Sequence, residues 1–277
     1  MNSCWLDGKT VVVTGASGGM GAGIAKSLIK KHGCTVIGVA RSEKKMLKVI
    51  EDLGKHAHHF SYKLFDVSSK ENWENFAEEL KNEGVKVDIL INNAGILPKF
   101  KRFDRYSDDE IEAAMNINFY SCVYSIRALM PMLLESSTPA IVNIDSSAAL
   151  MTLAGTSMYS ASKSALKSLT EALRNEFAGK MYVGLICPGF TKTDIFRGQK
   201  GADMDNGAKV MNMISTDCDR MVRMIMFGIE HKRPMRVLGP DAHSMSIANR
   251  MMPVLGSRLF SGVMKMAKID LFKEIFS

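Results

Sequence analysis

The chain has 277 residues, enough for one large α/β domain, with 46% hydrophobic and 23% charged residues, an ordinary globular balance. Its net charge of +7 is dispersed, with no basic block or aromatic-interleaved patch of the kind that grips nucleic acid. There is no apolar secretory core after Met1, no run of about 18 apolar residues, and no CxxC pair among the five cysteines. A cytoplasmic protein with reduced thiols is therefore expected, with no disulfide framework and no bound metal.

The first element is a β-branched strand, Lys9 to Thr14, of the type buried in a parallel sheet. Thr14-Gly-Ala-Ser-Gly-Gly-Met-Gly21 follows at once and opens a helical pattern, Ala22 to Lys31. Gly15, Gly19 and Gly21 let the backbone turn tightly and approach a pyrophosphate, with Ser17 and Met20 in the same loop. The phosphate charge would rest on the helix N-terminus. A second strand, Cys34 to Ala40, ends at Arg41. In a dinucleotide fold an acidic residue at this strand end accepts hydrogen bonds from the ribose 2′-OH. The guanidinium found instead suits a 2′-phosphate, so NADP(H) is expected over NAD(H).

His56, His58 and His59 resemble a metal cluster but lack a suitably spaced carboxylate or thiol, and they lead into a strand, His59 to Phe65. Asp66 and Val67 close that strand, where the Asp66 carboxylate can meet an adenine edge. A helix over Glu71 to Glu83 carries Trp73, Phe76, Ala77 and Leu80 on one stripe, which core packing explains. The strand Val87 to Ile91 delivers Asn92-Asn93-Ala94-Gly95 to its carboxyl end, where a ligand crevice forms in an open parallel sheet. A long helix, Asp108 to Leu134, holds Asn118 in its interior, a poor helix residue that needs a reason.

A fifth strand, Ala140 to Ile144, ends at Asp145-Ser146-Ser147. A helix, Ser157 to Phe177, and a sixth strand, Met181 to Cys187, precede Pro188-Gly189. Near its start that helix carries Tyr159 and Lys163, four residues apart and so on one face. A free phenol, with a pKa of about 10, is a poor base at neutral pH, and a cation one turn away favours its ionised form. The pair reads as a tyrosine poised to exchange a proton. Met235 to Gly239 is a seventh strand. The alternation of strands and helices specifies a Rossmann-type, doubly wound parallel sheet over residues 1–240. The remainder, 241–277, reads as a helical tail.

In this order the segments resemble the short-chain dehydrogenase/reductase family. TGASGGMG is similar to its TGxxxGxG motif, NNAG to its structural motif, and Tyr159-x-x-x-Lys163 to its active-site pair. Pro188-Gly189 is similar to its turn after the sixth strand, and the likeness covers residues 7 to about 195. It implies a working tetrad of Asn118, Ser146, Tyr159 and Lys163. Ser146 would donate to the carbonyl oxygen, Tyr159 deliver or remove the proton, and Asn118 hold a water linking Lys163 to solvent. Lys163 would also hold the nicotinamide ribose, and Thr191 and Thr193 would grip its carboxamide. The family's habit of pairing through two long helices implies a homodimer or homotetramer, here through Asp108–Leu134 and Ser157–Phe177.

Ser147 is a rival for the serine role, and spacing to Tyr159 favours Ser146. Asp145 departs from the family pattern, and strand alternation turns it away from the pocket. The tail concentrates methionine: twelve of 21 lie between Met204 and Met266. A substrate loop over about 194–215 with flexible methionines suits an apolar hydroxysteroid, retinoid or fatty ketone/acyl substrate. Leu259, Phe260, Val263, Met264, Ala267 and Leu271 form an apolar stripe on a basic amphipathic helix. Packing within the protein or oligomer is the plainer expectation for it, with a membrane surface second. The expected function is NADP(H)-dependent interconversion of a small-molecule carbonyl and an alcohol. The alternative is a non-catalytic dinucleotide-binding scaffold of the same fold.

Overall fold

A computed structural model of the chain describes residues 4–193, 215–266 and 275. Seven strands form one parallel sheet: β1 (Thr10–Thr14), β2 (Thr35–Ala40), β3 (Phe60–Leu64), β4 (Ile89–Asn92), β5 (Ala140–Ile144), β6 (Tyr182–Pro188) and β7 (Met235–Leu238). Their order is β3-β2-β1-β4-β5-β6-β7, with Val12 of β1 in register with Ile37 of β2 and Leu90 of β4. The order reverses between β1 and β4, and an open parallel sheet binds its ligands at such a switch point, beyond the strands' carboxyl ends.

The helices are α1 (Gly19–His32), α2 (Glu43–Leu53), α3 (Lys70–Asn82), α4 (Asp108–Met115), α5 (Ser121–Glu135), α6 (Ser157–Glu176), α7 (Cys218–Glu230), α8 (Pro240–Met251) and α9 (Pro253–Met266). They cover both sheet faces, which is why the central strands carry apolar residues on both. Val11 and Val13 enter one core with Ile24 and Leu28 of α1, Met46 of α2 and Ile225 of α7. Val12, between them, enters the other with Trp73 of α3, Leu129 of α5 and Leu173 of α6. Trp73 is fully buried, and its indole N–H donates to the Val67 carbonyl at 2.9 Å.

Two expectations change, and the histidine segment keeps its place ahead of a strand. The helix expected over Asp108 to Leu134 is interrupted by one π-helical stretch, Asn116–Tyr120, with Asn118 at its centre. Its most apolar 18-residue stretch has a mean hydropathy of 1.2, and the helix, Asp108–Glu135, is long enough to cross a bilayer, yet it lays Ile126, Leu129 and Leu133 on the sheet. His56, His58 and His59 belong to a 3₁₀ turn, Gly54–His59, ahead of β3. Among its described residues the tail forms two helices meeting at Met252, because Pro253 lacks the N–H needed to continue the first. The apolar stripe divides accordingly: Leu259 is exposed, whereas Phe260 packs beside Met151, Leu153 and Met245. Most of the expected substrate loop lies outside the described residues.

Candidate functional site

A cavity of about 510 Å³ opens at the switch point. Of the residues expected to bind a dinucleotide, Gly15, Ser17, Gly19, Met20, Arg41, Asp66, Val67, Asn93, Ala94, Gly95 and Thr193 line it. Gly21 lies behind the wall. A Cβ at Gly21 would fall 2.2 Å from the Gly15 carbonyl oxygen, so only glycine lets α1 pack this closely on the turn. Gly15 and Gly19 have φ of 66° and 52°, the left-handed region that favours glycine.

The start of α1 fits a pyrophosphate. Its cap, Gly18, offers no side-chain acceptor, and no acidic residue occupies the first turn. By contrast, Ser69 caps α3, and Ser107 with Glu110 forms a capping box on α4. The first-turn N–H groups of α1 therefore stay available to an anion. At the far rim Arg41 is 68% exposed along its side chain and lies 3.6 Å from the Asp66 carboxylate. Partial burial pulls the Asp66 carboxyl upward, but donors from Ser68 N and Oγ and the Arg41 charge outweigh it and hold it below the usual range. Lys45, one turn along from Arg41, also lines the cavity. The run Arg41-Ser-Glu-Lys-Lys45 contained that signal, because i, i+4 spacing brings a second cation to the same rim.

The floor is built by hydrogen bonds between strand ends. The Thr14 hydroxyl accepts from the N–H groups of Asn93 and Ala94, both at 2.9 Å, and Asn93 Nδ2 donates to the Thr14 carbonyl. Below them runs a buried polar chain that sequence reading missed. Ser125 donates to Asn92, Asn92 to Asn143, and Asn143 to Thr170, tying α5 and α6 to the centre of the sheet.

Asn118 and Lys163 meet at Gly95. A Cβ on Gly95 would lie 3.1 Å from Asn118 Oδ1 and 3.8 Å from Lys163 Nζ, so the absent side chain makes room for both. The Asn118 amide accepts from Ile96 N–H and donates to the Ile96 carbonyl and to Ser162 Oγ. Both amide hydrogens are thereby engaged, which accounts for an asparagine inside a helix. Lys163 is 4% exposed and donates to the Ile144 carbonyl at 3.1 Å, carrying its charge from α6 to the end of β5.

Tyr159 is half-buried in the first turn of α6. Ser146, half-buried, accepts from Ala148 N–H through Oγ, which leaves its own hydrogen to donate elsewhere. Ser147 is buried. Neither Asp145 nor Ser146 lines the cavity, and Asp145 is buried in the interior beneath α6. Pro188 ends β6, and Gly189 sits against Asp241, whose carboxylate accepts from Phe190 N–H at 2.6 Å. Thr191 is buried with its hydroxyl bonded to the Gly189 carbonyl, whereas Thr193 faces Gly19 across the cavity.

Residues 9–203 match the short chain dehydrogenase family. The chain is 34% identical over 186 residues to the ketoacyl reductase HetN of Nostoc sp., covering 67% of this chain and 64% of that protein. It is 32% identical over 206 residues to the 3-oxoacyl-[acyl-carrier-protein] reductase FabG of Vibrio harveyi, covering 73% and 82%. A solved short-chain dehydrogenase from Streptomyces avermitilis superposes with a TM-score of 0.76 at 26% identity, over 94% of this chain and 98% of that one. The matched region thus spans just under two thirds of the Nostoc protein. The chain belongs to the short-chain dehydrogenase family, the nicotinamide-dependent oxidoreductases of CH–OH and C=O groups.

Proposed function

We propose that this protein uses NADP(H) to interconvert an apolar ketone or aldehyde with its alcohol, Tyr159 moving the proton. The observation that carries the reading is the convergence of Lys163, Asn118 and Gly95 beside the switch-point cavity, with Tyr159 one turn from Lys163. The bound nicotinamide supplies or receives the hydride. Ser146 keeps a free O–H for the substrate oxygen, where charge develops in reduction. Lys163, anchored on the Ile144 carbonyl, keeps two further donors for the tyrosine and a ribose. Because both amide hydrogens of Asn118 are engaged, a relay water at this residue would be held by acceptor atoms.

Preference for the 2′-phosphate rests on Arg41 and Lys45 at one rim. An apolar substrate is supported by the cluster of Met151, Leu153, Phe190, Met245 and Phe260 beside the Ser146 and Tyr159 segments. Exposed Tyr120, just before α5, and Leu134, in its last turn, supply apolar area for pairing with a second copy.

The test is turnover by Tyr159→Phe against a panel of ketones, aldehydes and β-ketoacyl thioesters, read by NADPH absorbance. The variant should lose about 100- to 10,000-fold in kcat, the size of a general-acid contribution, while holding NADPH within a few-fold. Retained turnover would refute the role of the tyrosine. Wild-type protein that binds NADPH but turns over nothing in the panel would favour the scaffold reading.

A further inference from the structure

Half of the exposed large hydrophobic residues among the described residues fall within one short segment, 247–259. Ile247, Met251, Met252, Val254, Leu255 and Leu259 are 42–75% exposed and lie on α8, on α9 and at the bend between them. The two helices cross closely, since a Cβ on Gly256 would sit 2.9 Å from the Ala248 carbonyl oxygen. Their inner sides contribute Met245, Ala248 and Phe260 to the apolar cluster with Met151 and Leu153. Ile247 and Met251 are one turn apart on α8, and Leu255 and Leu259 one turn apart on α9. Their outer surface is therefore a continuous apolar ridge that none of the described residues covers.

Charge selects what covers the ridge. Arg250 and Arg258 are exposed beside it, and Lys265 is exposed further along α9. From Ala242 to Ile269 the sequence contains no Asp or Glu. A two-fold contact with a second copy would set this patch against itself and bring like charges together with no carboxylate of the segment to receive them. An anionic lipid surface supplies the missing charge, and its acyl region accepts the apolar side chains.

We propose that the α8–α9 helix pair is a lipid-docking surface, with Met251, Val254, Leu255 and Leu259 entering the facing leaflet and Arg250 and Arg258 bound to anionic headgroups. This proposal stands apart from the catalytic reading. If both hold, docking brings the apolar wall of the site to the lipid face, where an apolar substrate is concentrated.

The test is co-sedimentation of the full chain with vesicles of phosphatidylcholine alone or with about 30% phosphatidylglycerol, at about 50 mM and about 500 mM salt. The protein should pellet with anionic vesicles at low salt and bind at least about tenfold less at high salt or on neutral vesicles. Met251→Glu/Leu255→Glu should lose at least about tenfold in vesicle binding while keeping its thermal midpoint and NADPH affinity. Protein left in the supernatant with anionic vesicles at low salt overturns the proposal. So does equal pelleting of the double variant. A concentration-dependent dimer in sedimentation velocity, abolished by the same variant, assigns the ridge to a second copy and also overturns it.

Discussion

Asp145 should make the protein less stable as pH rises, the reverse of the usual effect of a carboxylate. It follows Asn143 on the face of β5 that packs under α6, since the Asn143 amide reaches Thr170 on that helix. It is 5% exposed, and neither carboxylate oxygen has a hydrogen-bond partner. Burial pushes its carboxyl up to about 7, against the lesser opposing pull of the Lys163 charge, the Ser146 N–H and Lys167, with Glu171 adding to the rise. Unfolded, the same group titrates near the ordinary aspartate value of 3.8. Between those two values the folded state binds a proton that the unfolded state does not, so unfolding free energy falls as pH rises. At about 1.4 kcal/mol per pKa unit, the loss across the window approaches about 4 kcal/mol and is complete above about pH 8. Asp145→Asn holds the side chain neutral at every pH. It should resemble wild type near pH 4 and be more stable by up to about 4 kcal/mol at pH 8. Urea unfolding of both proteins at intervals from about pH 4 to 8 measures the difference directly. A stability difference that stays constant across that range would refute a buried, neutral Asp145.

Arg41→Asp should weaken NADPH binding about 10- to 100-fold, the loss of a charge-assisted contact, and move preference toward NADH. Lys45→Ala should weaken NADPH by only a few-fold, and fluorescence titration with both cofactors reads each outcome. Ser146→Ala should lower kcat about 100-fold or more. Ser147→Ala, at a buried position, should show instead as a lowered thermal midpoint. Gly21→Ala drives a Cβ onto the Gly15 carbonyl oxygen and should destabilise the fold by about 1–3 kcal/mol, seen as a lower melting temperature. Unchanged melting would show that the turn and α1 can separate freely.

The seven strands were legible because central parallel strands must be apolar on both faces, and runs such as Lys9 to Thr14 and Ala140 to Ile144 carry that requirement openly. The glycine turn was legible for a related reason: few backbones other than a phosphate loop need glycine at 15, 19 and 21 between a strand and a helix. What escaped depends on contacts distant in sequence. Nothing in Asn-Ile-Asn-Phe-Tyr announces a π turn, because its cause is the reach of Asn118 to Ile96 and Ser162, 22 and 44 residues away. The chain of Ser125, Asn92, Asn143 and Thr170 is hidden for the same reason. The break between α8 and α9 was within reach, since Pro253 marks it, but the apolar stripe beyond His243 suggested a single unbroken helix.

The wide turn at Asn116–Tyr120 amounts to one surplus residue threaded into an otherwise regular rod. Deleting one residue there would let the rod close into regular α-turns without rotating its downstream half, so Leu129 and Leu133 would keep their seat on the β-sheet and Ser125 its place at Asn92. What such a deletion removes is the local swell that carries the Asn118 amide out to Ile96 and Ser162. The supernumerary residue thus serves the dinucleotide cleft and leaves the apolar seat of the rod as it was.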